Sequence, residues 1–70
     1  MSVSAAFGQL EHARKALAAQ WEATRLDWRD DNARRFEADV MDPLMVQVRQ
    51  MEKALSQLDV VLRKVHRDCE

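Results

Sequence analysis

Glu11 and His12 stand side by side in QLEHARK. His66 and Glu70 stand one helical turn apart in KVHRDCE, with Cys69 between them. These residue types are the ones that could do chemistry: an imidazole–carboxylate set can hold a divalent metal, and a thiol beside an imidazole can act as a nucleophile. Neither arrangement assembles. A structural zinc site takes four Cys or His ligands, and the chain has one Cys and two His. A dimetal centre in a helical bundle needs Glu-x-x-His motifs on facing helices. Here Glu11 and His12 are adjacent, and the residue three beyond Glu52 is Leu55. His66 with Glu70 is half a metal site on a solvated helix end. No Ser–His–Asp or Cys–His set can be placed together, and a chain whose one glycine is Gly8 has no Gly-rich phosphate loop. The expectation is a protein that is not an enzyme, with no catalytic residue, no metal, no cofactor and no small-molecule substrate.

What remains to be positioned is apolar. Seventy residues form one domain, a single helical hairpin over 1–70. A chain this short buries about 60% of its unfolded surface, so its core needs a supplement. Cys69 alone cannot supply a disulfide framework within one chain, though in an oxidising setting it could cross-link two chains. Oligomerisation is the remaining common supplement. The net charge is −1 with both signs interspersed, which argues against a nucleic-acid partner. No apolar run approaches the ~20 residues of a membrane span. No basic segment followed by an apolar one marks a cleaved signal peptide, so both a cytoplasmic location and export without a cleaved leader stay open.

The composition is helical, with one Pro and one Gly among many Ala, Leu, Gln, Glu, Arg and Lys. At 100° per residue, Val3, Ala6, Leu10, Ala13, Leu17, Trp21, Thr24 and Trp28 share one stripe, with Phe7 at its edge. Arg14 borders it, its stem covering apolar surface and its head in water. The spacing predicts a first helix over about 4–27, with Ser4 as its cap. A second stripe runs through Ala33, Phe36, Val40, Leu44, Val48, Met51, Leu55, Leu58, Leu62, Val65 and Cys69 by steps of three and four. It predicts a helix over about 31–68 with one broad apolar side. Between the two lies WRDDNARRF, residues 28–36, the densest polar run, with an aromatic residue at each end. Asp30 or Asp31 can cap the new helix, so the charges read as turn chemistry. Pro43 interrupts the second stripe. Because the stripe keeps its phase across it, a kink at 39–43 is preferred over a break, which would instead allow a compact three-helix monomer.

The fold class expected is all-α: an antiparallel hairpin that dimerises into a four-helix bundle. At 1.5 Å per residue the first helix runs out opposite the mid-fifties of the second. Leu58, Val61, Leu62 and Val65, with Leu55 at the border, then need a partner from outside the chain. A homodimer or a related hairpin serves. The alternative is an adaptor or regulatory module in the cytosol whose apolar groove takes an amphipathic helix of another protein. Met41, Met45 and Met51 add adaptable apolar volume, and Trp21 and Trp28 read as core residues near the turn.

The turn also carries a resemblance. Trp28, Asp30, Ala33 and Phe36 in WRDDNARRF, followed by the Leu-spaced helix ending in LSQLDVVLRKVHRDCE, resemble the WXG-type family of small secreted helical hairpins, the early-secreted-antigen-like proteins exported by type VII systems. That resemblance implies a hairpin dimer and a link to a secretion system. Asp30 stands where the family has its glycine, and the chain is shorter than a typical member. The family's export signal, a Tyr followed four positions later by an acidic residue, falls on His66 and Glu70, so the Tyr is missing.

Overall fold

The computed structural model describes residues 2–69. Two long helical rods lie antiparallel: α1 over Val3–Asp27, then α2 over Asp31–Phe36 running through a π turn at Glu37–Met41 into α3 over Asp42–Asp68. There is no strand among the described residues. The hairpin is long and thin, 58 × 17 × 12 Å. Glu70, and with it the half metal site weighed with His66, lies outside the described residues.

Local chemistry sets the ends. Ser2, not Ser4, caps α1: its side-chain oxygen accepts from the Ala5 N–H at 3.0 Å. The helix thus starts one residue earlier than expected, and Ser4 lies inside it. Gly8 sits mid-helix and a Cβ there would meet nothing within 4 Å. Asp30, the first of the two capping candidates, caps α2 by accepting from the Ala33 N–H at 3.0 Å.

Pro43 neither breaks the second rod nor lies in a plain α-helix. Proline has no N–H to donate, and its ring crowds the carbonyl four residues back. Immediately before it the hydrogen bonding slips by one residue, the Asp42 N–H bonding to the Glu37 carbonyl five back. Backbone angles at Met41 and Asp42 stay right-handed helical, and α3 continues for 27 residues. The three-helix monomer that a break would allow is not what forms.

The slip also decides which side chains reach the core. A turn closed five residues back holds one residue more than an α turn, so across it side chains four apart stay in line. The side chains turned toward α1 are Ala33, Glu37, Met41, Met45, Val48, Glu52, Leu55 and Asp59. Of the expected stripe, only Ala33, Val48 and Leu55 are among them. Phe36, Val40, Leu44, Met51, Leu58, Leu62 and Val65 are exposed instead. Beyond the π turn the apolar stripe is rotated away from the intramolecular seam, whereas Phe36, before the turn, still packs against Trp21 of α1. On α1, Ala13 and Thr24 likewise face water, while Arg14 and Ala18 are half-buried.

Little core results. Ala33 and Met41, at 4% and 5% exposure, are the buried apolar residues among those described.

Candidate functional site: an aromatic turn and an outward apolar face

The turn is built from three rings. Trp21 and Trp28 meet edge to face with centroids 6.2 Å apart. Phe36 closes the triangle at 5.3 Å from Trp21 and 5.9 Å from Trp28. Such geometry matches the ring quadrupoles and adds about 0.5–1.5 kcal/mol per pair beyond burial. Trp28 ends α1 with an extended backbone, its N–H bonding to the Thr24 carbonyl. Arg29 Nε donates to the Leu26 carbonyl at 2.9 Å, closing another free end of the helix. The turn brings together Trp28, Asp30, Ala33 and Phe36, the four residues singled out from WRDDNARRF. Ala33 is small enough to disappear beneath the rings. Asp30 has φ −82°, so the turn asks for no glycine at that position.

Charge surrounds the rings. Glu37, first residue of the π turn, accepts from Trp21 Nε1 at 2.6 Å and pairs with Arg25 Nε at 2.9 Å through the same oxygen. Arg25 also reaches Glu22, and Arg34 donates to the Arg29 carbonyl and to Asp31. An open cleft of about 390 Å³ lies between these groups, with Trp21, Trp28 and Ala33 on its walls and Arg25, Arg29 and Arg34 among its rim residues. Its two acidic lining side chains, Glu22 and Glu37, both pair with Arg25.

One strong pairing was not read from the sequence. Arg14 Nε donates to both carboxylate oxygens of Glu52, at 2.9 and 3.0 Å, with the side chains 14% and 10% exposed. Arg14's head is therefore turned inward against α3, not out to water. The available signal was the position of Glu52 between Val48 and Leu55, one helical turn from each.

The contacts between the rods also correct the expected mismatch of reach. Seven residues separate Trp21 from Arg14 on α1, whereas fifteen separate their partners Glu37 and Glu52 on the second rod. Between the same two contacts the second rod, with its π turn, thus spends more residues than α1 does. The start of α1 lies beyond the mid-fifties of α3. Ser2 and Val3 share a hollow with Asp59, Leu62, Arg63 and His66. The uncovered apolar surface is thus not an overhang beyond α1. It is a side of the rod running from Val40 to Val65. On it Leu58 and Leu62 are each 45% exposed, Val61 and Val65 half or more. Leu55 is half-buried at the seam.

Among the described residues no cluster of three His, Cys, Asp or Glu could hold a metal ion. No helix there is long and apolar enough to cross a membrane. Cys69 is exposed with a free thiol.

Fold and surface define the class: an all-α helical hairpin with a small internal core and an apolar face turned outward. No family model matches the chain, and neither a curated protein nor a solved structure matches it.

Proposed function

We propose that the protein is a non-enzymatic protein–protein interaction module, a hairpin that associates through the outward side of its second rod to complete a four-helix bundle. One observation carries this reading. Val40, Leu44, Met51, Leu58, Leu62 and Val65 form a row of exposed large apolar side chains, while two apolar residues are buried among those described. Fully burying a leucine contributes about 1.5–3 kcal/mol, so covering the row outweighs what surface ion pairs such as Lys15–Glu11 and Arg63–Asp59 supply. The resemblance of WRDDNARRF to the WXG-type turn is what ties this reading to a secretion system.

Sedimentation equilibrium at micromolar concentration is the test. The expected result is a species of twice the 8.1 kDa chain mass, converted to single chains by Leu58→Asp with Leu62→Asp. A native chain sedimenting at 8.1 kDa across that range overturns the self-associating bundle. It would leave the adaptor reading, in which a foreign helix covers the same face.

A further inference from the structure

The outward face of α3 has a second property besides being apolar: it carries no charge. At 100° per residue, Pro43, Leu44, Gln47, Met51, Ala54, Leu58, Val61 and Leu62 fall within about a third of the helix circumference. Asp42, Arg49, Glu52, Lys53, Asp59, Arg63 and Lys64 all project elsewhere. Gln47, Ala54 and Pro43 are exposed like their apolar neighbours. In a two-fold dimer every residue near the axis meets its own kind, so a charged face would repel itself. A neutral face meets no such penalty. A foreign partner selected by charge would leave ionic groups on this strip, and it has none. The strip is also continuous: from Val40 to Val65 it runs roughly 38 Å at 1.5 Å per residue.

Building on the bundle proposed above, we infer that the occupant is a second copy of this chain, with the two α3 helices antiparallel and the two-fold axis passing between Met51 and Ala54. That centre lies midway along the exposed row from Val40 to Val65. It sets Met51 against the partner's Ala54, Leu44 against the partner's Val61, and Gln47 against the partner's Leu58. A large side chain meets a small one at the axis, where the helices come closest. A parallel dimer would bring the two Cys69 thiols together; the antiparallel one holds them roughly 50 Å apart at 1.5 Å per residue.

The test is a charge swap. Met51→Lys and Ala54→Glu alter side chains exposed in the single chain, so far-UV circular dichroism should keep the helix signal for both. Each variant alone should lose the dimer, its apparent mass falling towards 8.1 kDa, since the two-fold leaves the new charges clustered without a counter-charge. Mixed one to one, the lysine introduced by Met51→Lys in one chain meets the glutamate introduced by Ala54→Glu in the other, and the dimer should return. As a second measurement, Met51→Cys mixed with Ala54→Cys, both carrying Cys69→Ser, should cross-link faster than either alone. Native chains that dimerise and oxidise readily through Cys69, with no rescue on mixing, overturn the orientation while the bundle stands. A native chain that never dimerises overturns both.

Discussion

Removing Glu52 separates two accounts of what holds the hairpin together. In Glu52→Leu the Arg14 guanidinium stays against α3 with no carboxylate, a group now 14% exposed that would face apolar side chains. Removing one partner of a fully buried pair costs about 3–5 kcal/mol. Because Arg14 and Glu52 keep some contact with water, roughly 2–4 kcal/mol is expected here. Arg14→Met leaves Glu52 alone in the same way and should cost a similar amount. The double variant, Arg14→Met with Glu52→Leu, removes both charges and fills the space with apolar atoms. Its stability should return to within about 1 kcal/mol of the native chain or exceed it, since such replacements are often neutral or stabilising. The assay is urea unfolding followed by circular dichroism at one fixed chain concentration, because association shifts the midpoint by mass action. With a slope near ~1 kcal/mol per molar urea, each single variant should lose roughly 2–4 M of midpoint or fail to fold. Two single variants that lose less than about 0.5 kcal/mol and add independently would refute the reasoning. The pair would then be surface decoration, and the apolar seam alone would set the alignment.

The other predictions concern the turn and α1. Phe36→Ala opens the ring triangle and should cost about 2–4 kcal/mol, below the full core value because the ring is 37% exposed; the tryptophan emission should shift to the red as Trp21 and Trp28 meet water. Asp30→Ala removes the cap on the Ala33 N–H and should cost about 1 kcal/mol, with Asp30→Asn retaining most of it in the same urea assay. Gly8→Ala adds a methyl where nothing lies within 4 Å, and should stabilise by about 0.5–1 kcal/mol, read as a raised melting temperature.

The turn was legible because its chemistry is local. Asp30 lies three residues before Ala33, and Trp28 and Phe36 stand at the ends of the two stripes, so capping and ring closure follow from spacing. The class of fold was equally legible from the two stripes. Their orientation was not. A helical wheel assumes one angle per residue, and the slip at Glu37–Met41 breaks that assumption where Pro43 removes a donor. Every position beyond it therefore turns relative to Ala33, and Met45, Glu52 and Asp59 take inward places assigned to Leu44, Met51 and Leu58. Arg14–Glu52 stayed hidden for a related reason. A wheel places both at the margin of an apolar stripe and cannot say which margin becomes the seam. Ser2 outranked Ser4 because α1 begins at Val3, the first residue of its apolar stripe, which leaves Ser4 inside the helix.

Pro43 has an effect out of proportion to one residue. Were the five residues before it wound as an ordinary α turn, α3 would swing by about 100°, carrying Leu44, Leu58 and Leu62 toward α1 and swinging Glu52 and Asp59 out into solvent. The chain would then cover more of its own apolar surface. Through the π turn, a missing N–H at a single position decides which flank of a long helix is left facing water.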